Sequence, residues 1–314
     1  MDSWPPGAMS AVIGGYGQRP YVNRMLVPWI VQFCQTFLSW LIQPISSTIR
    51  QASVWEDFDR NFYPETRLVV YAISISCFFF FAVLVRAITA KVYGFQGLRA
   101  TLAGLCGMLL IPLFFRYFNY IYDPMTIFLS AALIYALFLE NLNAAALIFL
   151  VAAVNKENAL FYLPVIYLTF KRQGSEKQLE LTMVLLLVCY GGIQYGIQSL
   201  HASNTGDPIA IMKDHNLKLF SWRQWPVPLM LFVIGLGFYK LIRPNWATAP
   251  YTLKLGLYFV LAPLVFGAMI IGFLDELRAY YEAFPYLILL AMPSFMDLII
   301  GPMPSPSIET TAGA

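Results

Sequence analysis

The sequence predicts an all-α, polytopic helical membrane protein with about eight or nine membrane segments. Of its 314 residues, 59% are hydrophobic and only 12% are charged, and the mean hydropathy is +0.64. Soluble domains are about half apolar and about a quarter charged. The apolar residues recur in runs of roughly 20, the length at which a helix crosses the hydrocarbon core of a bilayer. Tyr and Trp are frequent at the ends of these runs, as expected at a membrane–water interface.

The net charge and the positions of cysteine and histidine limit the kinds of ligand and partner that we expect. The formal net charge is only +3, and no block of Lys and Arg interleaves with aromatic residues, so we expect no nucleic-acid partner. The four cysteines lie inside apolar runs, and the two histidines, His201 and His215, are not spaced as metal ligands. We therefore expect membrane lipid as a partner and neither a metal nor a cofactor.

The chain divides into three parts. A polar segment rich in Gly and Pro, 1–24, precedes a single transmembrane domain, 25–300, and we expect a disordered tail over 301–314. The first segment lacks the basic and apolar regions of a signal peptide. The apolar runs that we expect to be helical cover 25–45, 68–89, 98–115, 124–139, 143–170, 179–200, 225–241, 255–273 and 280–300.

The run over 143–170 is interrupted halfway by the polar sequence Asn155-Lys156-Glu157-Asn158. Each half is too short to cross a bilayer alone, so the run is either one long tilted span or a broken, re-entrant helix. Broken helices at membrane depth need protein or a water-filled cavity around them. The simpler alternative is that Lys156 and Glu157 neutralise their neighbours in a structural network.

The distribution of basic residues favours the re-entrant alternative. Basic residues concentrate at 86–99, 171–177 and 240–254, which the positive-inside rule assigns to the cytoplasmic side. These three segments share one side only if 143–170 enters and leaves the membrane on the same face. The polar loops then meet on the outer face, where they form an extracytoplasmic site. These loops are 46–67, 116–123, 201–224 and 275–278.

Within 119–164, Asp123 stands at the mouth of one apolar run, and Lys156 and Glu157 stand inside the next. Such a group costs several kcal/mol at membrane depth unless it is paired or faces a wet cavity, so it is a candidate for function. For Asp123 a structural alternative is open. It precedes Pro124, a residue suited to the first helical turn, and is placed to cap the helix over 124–139.

Four short motifs carry a resemblance to a known family. They are Tyr21-Val-Asn-Arg-Met-Leu-Val-Pro-Trp29, Tyr122-Asp-Pro124, Asn155-Lys-Glu-Asn158 and Asp275-Glu-Leu-Arg278. Together they resemble the bacterial GT-C superfamily of integral-membrane glycosyltransferases, which use polyprenyl-phosphate sugars as donors. The resemblance covers residues 20–300. It implies a GT-C-like fold in the bacterial inner (cytoplasmic) membrane, with a sugar moved at the extracytoplasmic face.

The resemblance also implies roles for individual residues. Asp123 matches the acidic residue at the outer mouth of the fourth run, and Glu157 is an acidic neighbour of the phosphate site. An acceptor hydroxyl needs such a carboxylate as its base. The family's catalytic outer-loop Asp has no direct match, because no span precedes the arginine motif. Asp57 takes this role if 25–45 serves as the first span, and Asp59 stands beside it.

The cationic residues match phosphate ligands of the family. Lys156 corresponds to the basic residue that meets the lipid-linked phosphate, Arg24 and Arg278 are further anion ligands, and Glu276 orients one of them. A phosphate leaving group needs this cationic stabilisation.

Two other functions stay open. The chain lacks the family's first span and soluble C-terminal domain, and Phe78–Phe81 form an adhesive apolar face. These features favour a non-catalytic membrane subunit that retains the scaffold and packs against other membrane-protein subunits. A small transporter is a third alternative, suggested by the broken run but unsupported by inverted repeats.

Overall fold

The computed structural model describes seven stretches of the chain, and all regular structure within them is helical. The described residues are 9–19, 21–51, 64–111, 120–172, 176–206, 213–221 and 224–302.

The N-terminal part contains three α-helices, α1 (Met9–Ile13), α2 (Leu26–Phe37) and α3 (Ser39–Gln51), with a 3₁₀ turn at Tyr21–Asn23. The expectation of one helix over 25–45 is wrong, because α2 ends at Phe37 and α3 begins two residues later. Polar side chains in this run bind protein groups. Gln32 Nε2 donates to the carbonyl of Ile13 at 2.6 Å, and Gln35 donates to Thr66. Since α2 and α3 each have at most 13 residues, neither crosses a bilayer alone.

Three apolar helices follow among the described residues, the 30-residue α4 (Pro64–Tyr93) and the shorter α5 (Gly97–Leu109) and α6 (Asp123–Phe138). Helix α4 packs along both of the others. The contact between α4 and α5 is made at Gly104, where a Cβ would collide with the backbone carbonyl of Ala82. A small residue at this point lets the two backbones approach closely.

The interruption expected within 143–170 is present. Helix α7 (Leu142–Asn155) ends before Lys156, a 3₁₀ turn covers Glu157–Phe161, and α8 (Tyr162–Lys171) follows. The chain reverses here. Asn155 Nδ2 donates to Thr126 near the start of α6 at 2.9 Å, whereas Thr169, near the end of α8, contacts Thr252 at 3.4 Å. The turn therefore lies at the end of the bundle that holds the start of α6.

The C-terminal half contributes six α-helices. They are α9 (Glu176–Leu200), α10 (Lys213–Leu219), α11 (Pro226–Ile242), α12 (Tyr251–Gly256), α13 (Ala262–Ile270) and α14 (Phe284–Ile300). A π-helical turn, Leu257–Leu261, joins α12 and α13 into one longer segment ahead of Pro263. The ring of Tyr286 on α14 packs directly on Gly256, where a Cβ would overlap it.

Within the described ranges, four helical segments are long and apolar enough to cross a membrane, so the chain is an integral membrane protein. They cover Glu65–Tyr93, Gln178–Leu200, Pro226–Asn245 and Tyr251–Ile270. The other apolar helices of the described ranges, α2, α5, α6, α7 and α14, have 12 to 17 residues. The total of eight or nine membrane segments stays a prediction.

The helices place basic and acidic loops at opposite ends of the bundle. At the first end, Arg99 contacts Asp297, Asn245 contacts Ser294, and Arg172 lies over the ring of Tyr251. We call it the basic end. The other end holds the starts of α6 and α14, the turn after α7, and the loop over 271–283. We call it the polar end.

Candidate functional site

Charged side chains from distant parts of the chain converge at the polar end. They come from the residues before α2, the start of α6, the turn after α7 and the loop before α14. We call this group the charged cluster. It consists of Arg24, Asp123, Lys156, Glu157, Glu276, Arg278 and Glu282.

Arg24 and Glu157 form a two-pronged ion pair. Arg24 Nη2 lies 2.8 Å from Glu157 Oε1, and Arg24 Nε donates to Oε2 at 3.3 Å. Arg24 also donates to the hydroxyl of Tyr122. Burial would lower the pKa of Arg24, but Glu157 and Tyr122 raise it well above its ordinary value. Partial burial likewise opposes ionisation of Glu157, yet Arg24 and Lys156 lower the pKa of Glu157 to about 2. Both groups therefore stay charged near neutral pH.

A stack of three tyrosines packs against the guanidiniums of Arg24 and Arg278. The rings of Tyr21 and Tyr120 lie 5.0 Å apart, and those of Tyr120 and Tyr122 lie 5.4 Å apart and almost parallel. The guanidinium of Arg278 lies 3.8 Å from the ring centre of Tyr120, and that of Arg24 lies 4.5 Å from the ring centre of Tyr122. Such contacts hold a guanidinium flat against an aromatic face.

The structural alternative for Asp123, a cap on α6, is not what the structure shows. The helix begins at Asp123 itself, and its Oδ2 accepts the backbone N–H of Tyr120, upstream of the helix, at 2.9 Å. The side chain is 1% exposed, and its Oδ1 has no hydrogen-bond partner within the described ranges. Buried carboxylate oxygens without a partner are rare, so this oxygen is free to accept a proton or a ligand donor.

Lys156 is paired inside the protein. Its Nζ lies 2.8 Å from Glu282 Oε1, although not along a hydrogen-bonding direction, and the two side chains are 6% and 2% exposed. Glu282 Oε2 and Asn155 Oδ1 have no hydrogen-bond partner in the described part of the chain. They line a cavity of about 10 Å³, together with Thr126 and Tyr162. That space admits about one water molecule.

Arg278 pairs with Glu276 in the loop before α14. Burial would lower the pKa of Arg278, but Tyr122, Asp123 and Glu276 outweigh burial and raise it. Arg278 is 8% exposed, so a guanidinium is held in place with little access to solvent.

Helix α10 anchors the loop that carries Arg278. Asn216 Nδ2 donates to the carbonyls of Ala268, Met269 and Gly272 at 2.8, 3.1 and 2.9 Å, and its Oδ1 accepts the N–H of Leu274 at 2.9 Å. One residue earlier, His215 Nε2 lies 3.2 Å from Asp275 Oδ1. One short helix thus fixes the end of α13 and the start of the loop.

The structure brings together six of the seven residues proposed from the sequence: Arg24, Asp123, Lys156, Glu157, Glu276 and Arg278. Asp57 and Asp59 lie outside the described residues. Reasoning from the sequence missed Glu282 and the tyrosine stack. An acid inside the last apolar run, 280–300, was a usable signal for Glu282, whereas nothing in the sequence marks which tyrosines stack.

No protein-family model, curated protein or solved structure matches this chain. Within the described ranges, no group of three or more His, Cys, Asp or Glu side chains is placed to hold a metal ion.

The charges of the cluster do not balance. Arg24, Lys156 and Arg278 pair with Glu157, Glu282 and Glu276 respectively. Asp123 is left without an ion-pair partner within 4 Å among the described residues, although Arg278, Lys156 and Arg24 all act on it electrostatically. The arrangement offers one buried carboxylate as a base, with two guanidiniums nearby that can hold an anion.

Proposed function

We propose that this protein is a GT-C-like glycosyltransferase that moves a sugar from a polyprenyl-phosphate donor to an acceptor hydroxyl at the polar end. The observation that carries the proposal is Asp123, a buried carboxylate with no ion-pair partner among the described residues, on which Arg278 and Arg24 act electrostatically from opposite ends of the chain. The proposed location is the extracytoplasmic face of the bacterial inner membrane, because the basic loops lie at the other end.

In the proposed reaction, Asp123 accepts the proton of the acceptor hydroxyl. The acceptor oxygen forms a bond to the anomeric carbon of the sugar while the bond from that carbon to the phosphate oxygen breaks. The polyprenyl phosphate leaves with the electron pair of the broken bond. Arg278 and Arg24 stabilise the charge that develops on the phosphate, as preorganised cations do in other transfer reactions.

A phosphate reaches the guanidiniums of Arg24 and Arg278 only when their ion-pair partners, Glu157 and Glu276, move away. The side chain of Glu157 is 40% exposed and that of Glu276 is 17% exposed. Both carboxylates can turn away, and a phosphate can take their place as a two-pronged acceptor. Lys156 is different, because its partner Glu282 is 2% exposed. We therefore assign phosphate binding to Arg24 and Arg278, and to Lys156 a role in fixing the turn beside Asp123.

A transfer assay with short-chain isoprenyl-phosphate sugars tests the proposal. Purified protein in nanodiscs is given a panel of hexose and pentose donors, and release of isoprenyl phosphate is measured. We expect turnover of at least one donor, with a loss of at least about 100-fold in Asp123→Asn. Glu140→Gln, in the α6–α7 turn at the basic end, is the control. Binding of no donor by folded protein would contradict the proposal.

The second candidate is a non-catalytic membrane subunit, and one observation favours it. All three cations of the cluster are paired, and the cavity of about 10 Å³ beside Lys156 is too small for a sugar. Phe79 and Phe80 are also 60% and 51% exposed, which leaves an apolar face for other membrane-protein subunits. A stoichiometric membrane partner that co-purifies without donor turnover would support this alternative.

A further inference from the structure

An apolar groove of about 780 Å³ runs between α11, the α12–α13 segment and α14. Its walls carry Leu231, Ile234 and Phe238 from α11, Leu261 and Val265 from the facing segment, and Leu287 from α14. Both α11 and the α12–α13 segment are long and apolar enough to span a membrane. The groove thus faces the environment of a lipid chain, and its volume is that of a ligand site.

At the end of the groove near the charged cluster, the described lining residues include no charged group. Leu277 and Tyr280 line it there, and Tyr280 donates its hydroxyl hydrogen to the carbonyl of Leu274 at 3.1 Å. Arg278, which stands between them in the sequence, is instead bound to Glu276 over the ring of Tyr120. A lipid headgroup placed at this end would meet apolar side chains.

The other end of the groove is basic. Arg243 is the one charged residue among those that line the groove. Lys254 is half-buried nearby, with its Nζ 5.2 Å from the ring centre of Trp246, another lining residue, and Lys240 is exposed one turn before Arg243. None of these three cations forms an ion pair with a carboxylate in the described part of the chain.

We propose that the groove binds an anionic glycerophospholipid whose phosphate lies on Arg243 and Lys254 and whose acyl chain extends along α11 toward Tyr280. Basic pockets between membrane helices on the cytoplasmic side bind anionic headgroups, and a guanidinium meets a phosphate through two parallel hydrogen bonds. The neighbouring tryptophan suits the interface between headgroup and chain. This proposal is independent of sugar transfer, which concerns the opposite end of the bundle.

Lipid retention measured by native mass spectrometry tests the proposal. Protein from nanodiscs that contain equal amounts of dioleoylphosphatidylglycerol and dioleoylphosphatidylcholine is released into detergent, and bound lipid is counted. We expect selective retention of phosphatidylglycerol. In Arg243→Gln/Lys254→Gln that retention should weaken roughly 10- to 30-fold, since each basic residue contributes about one kcal/mol to binding of an anionic lipid. Lys91→Gln, at the basic end but outside the groove, should leave it unchanged.

A second pair of variants tests where the acyl chain of the lipid lies. Gly235 lines the groove, and a Cβ added there meets nothing within 4 Å, as is also true of Gly237, which is not a lining residue. We expect Gly235→Phe to fill the groove and displace the lipid while Gly237→Phe does not. Equal retention of the two lipids, or retention unaffected by both Arg243→Gln/Lys254→Gln and Gly235→Phe, would overturn the proposal. So would an isoprenyl phosphate that binds in the groove independently of Arg243.

Discussion

At the scale of single residues, Lys156 and Glu282 neutralise each other's charge inside the protein. Both side chains are almost fully buried, and their ions lie 2.8 Å apart beside a cavity of about 10 Å³. Desolvation of the two ions is costly, so the pair adds little net stability. Removal of one partner, by contrast, destabilises the protein strongly, because the other charge stays buried without a counter-ion.

Lys156→Met should therefore destabilise the protein by about 3–5 kcal/mol. The substitution leaves the Glu282 carboxylate buried without its cation. Thermal unfolding in a mild detergent measures the effect, and Lys156→Met/Glu282→Gln should recover much of the loss by removing the stranded charge. Normal stability of Lys156→Met together with lost ligand binding would contradict the pairing and indicate a ligand-facing lysine.

Glu157 should make stability depend on pH in the acidic range. Its pKa is lowered from 4.5 to about 2 in the folded protein, so its contribution is complete above pH 4.5 and is lost as the pH falls toward 2. Acidification from about pH 6 to about pH 3 should lower the melting temperature of the native protein more than that of Glu157→Gln. Parallel falls in the two proteins would contradict a strong Arg24–Glu157 pair.

The sequence indicated most of the charged cluster because its residues are unusual in apolar surroundings. Asp123, Lys156 and Glu157 were detectable on energetic grounds alone. Their pairing was not, since Arg24 and Glu157 are 133 residues apart and nothing local joins them. The alternative of a helix cap, left open for Asp123, was wrong for a similar reason. Its carboxylate turns back to Tyr120, a choice made by tertiary packing rather than by the helix start.

At the scale of helices, the surroundings of each glycine show whether it lies in a close helix–helix contact or on an open helix face. A Cβ at Gly104 would meet the carbonyl of Ala82 on α4, whereas a Cβ at Gly191 on α9 meets nothing within 4 Å. Glycine-rich α9 resembles a packing helix in sequence, yet Gly191, Gly192 and Gly196 all face open space. Small residues permit a close contact but do not show whether a partner helix is present.

Gly104→Ala should destabilise the protein by about 1–3 kcal/mol, because the added methyl group forces α4 and α5 apart. Gly191→Ala is the matched control, and it should be neutral or slightly stabilising, since alanine favours the helix. Thermal unfolding of the two variants in the same detergent gives the comparison. Equal melting temperatures would show that α4 and α5 are not in close contact.

Asn216→Ala should loosen the loop that carries Arg278. The substitution leaves three carbonyls and the N–H of Leu274 without their side-chain partner, at a cost of about 1–3 kcal/mol. Hydrogen exchange of peptides that cover 272–280 should become faster. Leu217→Ala, at a position 62% exposed on the same helix, should not change it. Unchanged exchange in Asn216→Ala would mean that α10 does not hold this loop.

Hydropathy predicted the bounds of uniformly apolar helices well and those of the run that also contains polar residues poorly. The runs over 124–139 and 179–200 correspond to α6 and α9 within a few residues. The run over 25–45 became two helices, and its polar residues bind protein groups: Gln32 donates to the carbonyl of Ile13 and Gln35 donates to Thr66. Apolar content therefore indicated a helical region here but not where each helix ends.

At the scale of the whole molecule, the two ends of the bundle differ in charge and in what they can bind. The polar end gathers four carboxylates and three cations in a nearly closed cluster. The basic end has lysine and arginine side chains beside an apolar groove, and Arg243 and Lys254 form no ion pair with a carboxylate among the described residues. The distribution of Lys and Arg along the sequence anticipated this separation, because the broken run over 143–170 returns the chain to the end from which it started.

The measurement that tests the central claim most directly is a cryo-electron microscopy structure in nanodiscs with a short-chain isoprenyl-phosphate sugar. We predict phosphate density within hydrogen-bonding distance of Arg278 and Arg24, with Glu157 or Glu276 displaced and Asp123 facing the sugar. An unchanged cluster in which all three ion pairs persist at saturating donor would contradict the claim. The charged cluster would then be a structural element of a membrane subunit.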